Sequence, residues 1–159
     1  MQTFTKKLQN TQFAATYTSC LFAGAALYIS IAQSPASLEL ETEAAVKFFP
    51  HWYKRAAKMQ AGLALSSSVF GILTGINKKK QGKKCTAIIW FVGSALIFSV
   101  VPVTYSFIMN INKQLLQEGG VKTEEENKNL LKKWGQRHLI RTVLSILSST
   151  IFLAAIQLE

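Results

Sequence analysis

Charged positions are segregated along this chain. Four stretches, 8–38, 59–77, 85–112 and 142–158, contain none, and all 18 basic and 8 acidic side chains lie beside them, between them or at the termini. A hydrocarbon core about 30 Å thick is crossed by about 20 apolar helical residues. The first and third stretches exceed that length and the second meets it. The fourth is short but is extended at its start by Leu139 and Ile140. Backbone in lipid must satisfy its own hydrogen bonds, so such stretches are helices. The pattern predicts an all-α, antiparallel four-helix transmembrane bundle filling residues 1–159 as one domain. Spans are expected near 12–33, 54–77, 85–111 and 138–158, with a short polar segment after the first helix and another after the third.

Local signals set the expected boundaries. Ser34-Pro35 should end the first helix, and Ala23-Gly24-Ala25-Ala26 within it should let a neighbour approach closely. Pro50 suits the start of the second helix, with Trp52 and Tyr53 as an aromatic belt at the membrane–water boundary. The spacing of Gly71 and Gly75 marks a second point of close approach. Pro102, inside the third helix, removes a backbone donor and should kink the helix or open a polar spot. Gly119-Gly120 breaks the segment that follows. Thr123 with Glu126 then predicts a capping box opening a helix that runs through Trp134, His138 and Arg141 into the fourth span.

Net charge is +10, but the lysines do not line a groove-sized face, which argues against nucleic acid. Five of them (Lys78, Lys79, Lys80, Lys83 and Lys84) crowd one loop, as expected of a topology anchor facing anionic lipid. That loop is expected to place both termini on its own side, cytoplasmic or matrix-facing. The opposite segments hold more basic residues in total but are longer and carry seven glutamates. Cys20 and Cys85 show no ligand spacing and read as small packing residues. Lys6 and Lys7 precede an apolar run too long for a cleaved signal, so a retained span is expected. Two histidines and no aspartate predict no metal site.

Four alternating helices bring the end of the first, the start of the second, the end of the third and the start of the fourth to one membrane face. That face carries both histidines, His51 and His138, together with Trp52, Arg55, Thr104, Tyr105, Asn110, Asn112, Trp134 and Arg141. Trp134, His138 and Arg141 stand at i, i+4 and i+7, on one side of a helix. Ionisable groups at membrane depth are costly and mark function by default. Taken singly, Trp134 and Arg141 also suit interfacial anchors, and His138 a hydrogen-bonded residue at head-group level.

Several blocks resemble the anthrone oxygenase-like family of small four-helix membrane proteins. They are Phe22-Ala-Gly-Ala-Ala-Leu-Tyr-Ile-Ser30 with Pro35, then Trp52 with Lys54-Arg55-Ala56, and Pro102-Val-Thr104 with Asn110-x-Asn112-x-x-Leu115. The last is Leu131-x-x-Trp134-x-x-x-His138-x-x-Arg141. The resemblance implies a cofactor-independent oxygenase, with neither metal nor organic cofactor, acting on an anthrone- or quinol-like aromatic. A base takes the acidic carbon proton, a donor holds the oxyanion, and molecular oxygen accepts electrons. His138 is the expected base, its reference pKa near 6.5 suiting neutrality, with His51 the runner-up. Arg141 would hold the anion. Asn110, Asn112 and Thr104 would contact the substrate, and Trp134 or Trp52 would stack on its rings.

A non-catalytic reading also fits: an accessory subunit of a large membrane complex, such as a mitochondrial respiratory assembly, its polar segments buried against other chains and its pocket holding lipid or a quinone. A transporter fits less well, because no acidic residue lies inside a span. The mitochondrial inner membrane and the endoplasmic reticulum are the expected hosts.

Overall fold

The computed structural model describes residues 2–117 and 123–158, with side chains from residue 10 onward. The Gly119-Gly120 break lies outside the described residues. The described chain is helical throughout its elements: α1 (Gln2–Tyr28), a π-helical segment (Ile29–Gln33), α2 (Ser34–Glu39), α3 (Thr42–Lys80), α4 (Lys84–Val103), a second π-helical segment (Thr104–Ile108), α5 (Met109–Leu115) and α6 (Glu124–Gln157). They combine into four spans long and apolar enough to cross a membrane: Asn10–Glu39, Thr42–Lys80, Lys84–Leu115 and Glu124–Gln157. This is a multi-pass, four-helix integral membrane fold.

The distribution of side chains follows lipid rather than water as the outer solvent. Large apolar residues such as Phe13, Ile31, Val69, Ile88, Phe98 and Leu153 are exposed, while Ser19, Ser67, Thr74, Ser94, Ser145 and Ser148 are buried. The hydroxyls of Ser19, Ser67, Thr74 and Ser148 join helices. Ser67 donates to the Ala15 carbonyl at 2.8 Å, Ser148 to the Gly93 carbonyl at 2.7 Å, and Ser19 lies 2.9 Å from Ser149. Small side chains and interhelical hydrogen bonds supply association where lipid removes the hydrophobic drive. Gly75 serves as expected: a Cβ there would meet the Phe91 ring at 2.6 Å. Gly24 does not, since nothing lies within 4 Å of its missing Cβ. Ala23 and Ala26 form the buried contact instead.

Two of the three proline expectations change. Ser34-Pro35 does not end the first helix. The chain passes through a π-turn in which the Ser34 N–H donates to the Ile29 carbonyl, and Pro35 falls in the first turn of α2, where its missing donor costs little. Pro50 does not start the second helix; it lies inside α3, which begins eight residues earlier at Thr42. Pro102 is followed immediately by the second π-helical segment, the local disruption it was expected to cause.

The long helices overshoot the bilayer. At 1.5 Å per residue, the 39 residues of α3 reach about 58 Å and the 34 of α6 about 51 Å. The described parts of the polar segments 34–58 and 113–137 are therefore largely helical extensions of the spans, and they pack on one another. Their core is Ile29, Val46, Phe49, Ile111, Leu115, Leu131 and Trp134, among others. A second cluster centred on Phe22, Ala26, Ala64, Ile97 and Val100 follows along the bundle, then a third on Ala15, Trp90 and Phe152. At α6 the Thr123 capping box forms in both directions. The α3–α4 hairpin closes on Gly82, at φ +80°, with Lys83 N–H bonded to the Lys78 carbonyl and Gly82 N–H to that of Lys79. This is the left-handed glycine cap in which two late carbonyls are satisfied. Cys20 and Cys85 are both free and exposed rather than packed.

Candidate functional site

The first two clusters meet at the start of the apolar part of α6, and the i, i+4, i+7 set lies on that seam. Trp134, His138 and Arg141 all point inward; His138 is 1% and Arg141 7% exposed. They are interior residues, not head-group anchors. The His138 ring stacks on Trp134 with centroids 5.0 Å apart. Trp134 also meets Trp52 at 5.4 Å and Phe49 at 5.3 Å, edge to face. The expected aromatic belt of Trp52 and Tyr53 is thus part of an internal cluster.

Hydrogen bonds orient this cluster. Trp134 Nε1 donates to Asn112 Oδ1 at 2.8 Å, and Asn112 Nδ2 donates to the Tyr53 hydroxyl at 2.6 Å. Because Tyr53 Oη already accepts, its own proton is left to donate into the cavity that Tyr53 lines. On the other side, Arg141 donates to Gln60 Oε1 at 2.7 Å and lies 5.7 Å from the Phe22 ring centroid. The Gln60 oxygen is fixed by that donor, so its amide nitrogen turns elsewhere.

Two adjoining cavities meet here. The outer, about 210 Å³, lies between α3 and the end of the third span, bordered by Phe22, Ala61, Val101, Thr104, Tyr105 and Met109. The inner, about 10 Å³, is bordered by Ile29, Trp52, Ala56, Trp134 and His138. Tyr53, Ala57, Gln60 and Arg141 line both. Three buried polar atoms at this junction have no protein partner: Gln60 Nε2, His138 Nε2 and Arg141 Nε. Among the described residues no carboxylate lines either cavity. A buried guanidinium whose contacts are an amide and a phenyl ring is an electrostatically incomplete site, since buried charges are normally paired.

The sequence-expected residues divide. His138, Arg141, Trp134 and Trp52 come together, and Thr104 lines the outer cavity with its hydroxyl bonded to the Val100 carbonyl at 2.6 Å. Asn112 is fully buried behind the aromatic cluster, both amide atoms used by Trp134 and Tyr53, so it acts through them. Asn110 is exposed, and His51 lies on the outer face of α3 among Lys47, Lys54, Arg55 and Lys58, its carbonyl taken by Arg55. Gln60 and Tyr53 complete the site and were not expected from sequence. The available signal was a long amide within an otherwise apolar, small-residue stretch. No three of His, Cys, Asp and Glu cluster as metal ligands among the described residues.

No curated protein and no solved structure matches the chain significantly. The sequence model described as anthrone oxygenase matches residues 49–151. That match takes in Tyr53, Gln60, Asn112, Trp134, His138 and Arg141, and spans well over half of the sequence. The chain belongs to the anthrone oxygenase family.

Proposed function

We propose that this protein oxidises an electron-rich, anthrone- or quinol-like aromatic with molecular oxygen, without a cofactor. The observation that carries the reading is the convergence of Gln60 Nε2, His138 Nε2 and Arg141 Nε, buried and unpartnered, on cavities with no carboxylate. His138 Nε2 takes the acidic C–H proton, directly or through one water. The charge moves to the substrate oxygen, where Arg141, the Gln60 amide and the Tyr53 hydroxyl meet it as preorganised donors. The resulting enolate passes an electron to dioxygen. Recombination at carbon gives a hydroperoxide, and loss of water across its C–H and O–O bonds leaves the new carbonyl. For an anthrone, one CH₂ and one O₂ become one C=O and one H₂O; a quinol would instead give up two O–H protons and two electrons, leaving the quinone and H₂O₂.

The inner cavity, about 10 Å³, is at the lower limit for a single water, which suits a water that carries the proton to His138 Nε2; substrate and dioxygen meet in the outer one. The outer is smaller than the about 300–1,000 Å³ of pockets enclosing drug-sized ligands. A tricyclic substrate would therefore keep part of its ring system in the opening between α3 and the third span, against Ala61 and exposed Tyr105. That opening faces the lipid side of the bundle, where an apolar substrate is dissolved.

The test is conversion of an anthrone by the full chain in lipid nanodiscs, following quinone absorbance and oxygen uptake together. One O₂ should be consumed per quinone formed, and His138→Gln should lower kcat by about 10²–10⁴-fold. Undiminished oxidation by His138→Gln would remove the base. Absence of enzyme-dependent turnover across a panel of anthrones and quinols would sink the whole reading.

A further inference from the structure

We propose that Ser30 and Thr142 are positioning residues that select the tautomer of His138, holding its proton on Nδ1 so that Nε2 faces the cavity as a lone pair. This rests on His138 being the base, and it names what makes that ring a base rather than a donor.

The direction follows from counting protons. Thr142 Oγ1 lies 3.1 Å from the Ala26 carbonyl, which can only accept, so the single Thr142 proton is committed there. Ser30 Oγ lies 2.8 Å from Thr142 Oγ1 and must therefore donate to it. Its one proton spent, Ser30 can only accept from His138 Nδ1, 3.2 Å away. Run in reverse, the chain leaves the Ala26 contact unmade and places a proton on Nε2, a buried atom with no acceptor in the protein. The forward direction makes three bonds and leaves only a lone pair unmet; the reverse makes two and strands a donor. An unsatisfied buried donor is the costlier outcome.

The backbone supports the same arrangement. Ser30 sits in the π-helical segment of the first span, a local widening frequent at functional sites. Thr142 follows His138 by one helical turn, on its face. Ser30 lies outside the family match at 49–151, so the relay joins the matched part of the chain to the first span.

The experiment is nitrogen NMR of the full chain in nanodiscs with labelled histidine, in a His51→Gln background that leaves one ring, at a pH where it is neutral. The unsubstituted site should show a protonated Nδ1 and an unprotonated Nε2. Thr142→Val, close in shape, removes the acceptor for Ser30, frees the Ser30 proton to donate to Nδ1, and should invert the pattern. Thr142→Ser should restore it. In turnover, Thr142→Val should lower kcat by about 100-fold with KM within about 2-fold, while Thr142→Ser should stay near the parent. A protonated Nε2 in the parent, or no change in Thr142→Val, overturns the relay. Should Thr142→Val not fold, Ser30→Ala reads the same device, since losing the Nδ1 acceptor should give mixed tautomers and a pure Nδ1–H population would refute it. The expected tautomers with no turnover of any anthrone would leave the relay standing and remove the oxygenase reading instead.

Discussion

Arg141 carries a full positive charge into an interior that supplies an amide oxygen and a phenyl face but no anion. A lysine would keep the charge and lose both the planar fork and the unpartnered Nε. Arg141→Lys should therefore fold and bind substrate, yet lose about 10²–10³-fold in kcat, the usual cost of an oxyanion donor. Steady-state kinetics checks it; an unchanged kcat would show that the guanidinium only balances structure. Tyr53→Phe is the companion case. It removes the hydroxyl that accepts from Asn112 and donates into the cavity, and should lower kcat by at least about 10-fold while sparing the Trp134–Asn112 bond. His138, Arg141 and Trp134 were legible because helical spacing fixes their common side. Asn110 and Asn112 were not separable, since two residues along a helix point far apart and only packing tells which is inside. Gln60 bonds to a residue 81 positions away, and no local pattern encodes that pair.

At the scale of elements, charge-free stretches identified the spans, but prolines misplaced their ends. Pro35 and Pro50 read as boundaries because a proline lacks a donor and clashes with the preceding turn. The chain absorbs the first with a π-turn and the second inside a long helix whose flanks Val46, Phe49 and Tyr53 are held by the core of the helical extensions. Tertiary packing overrode a local signal. Glycine behaviour divides in the same way, and it yields a paired prediction. A Cβ on Gly93 would lie 2.6 Å from Phe152, a fully buried ring stacked on Trp90 at 4.9 Å. Gly93→Ala should cost about 1–3 kcal/mol as overpacking, read as a lower melting temperature in detergent. Gly24→Ala, with open space around it, should instead be neutral or gain up to about 1 kcal/mol through helix propensity. Equal melting temperatures for the two variants would contradict this packing of α1, α4 and α6.

For the whole molecule, the decisive arrangement is that the helical extensions at one end share a core and the site sits just beneath it. Ser30, Tyr53, Asn112 and His138 come from four different spans, and their mutual hydrogen bonds require those span ends to lie at one face. The lysine-rich hairpin at Lys78–Lys84 must then emerge on the other. Basic loops favour the cytoplasmic side, so the end formed by the helical extensions (the head), with the site's aromatic cluster, is expected on the opposite side. Single cysteines test the arrangement in a background with Cys20 and Cys85 replaced by serine. His51→Cys and Glu124→Cys, both exposed on the head, should react with a membrane-impermeant thiol reagent from one side of sealed vesicles. Lys80→Cys, exposed in the hairpin, should react only from the other side. Reaction of residues 51 and 124 from different sides would separate α3 from α6 at the level of the site, leaving Arg141 no means of reaching Gln60 and the proposed chemistry no shared cavity.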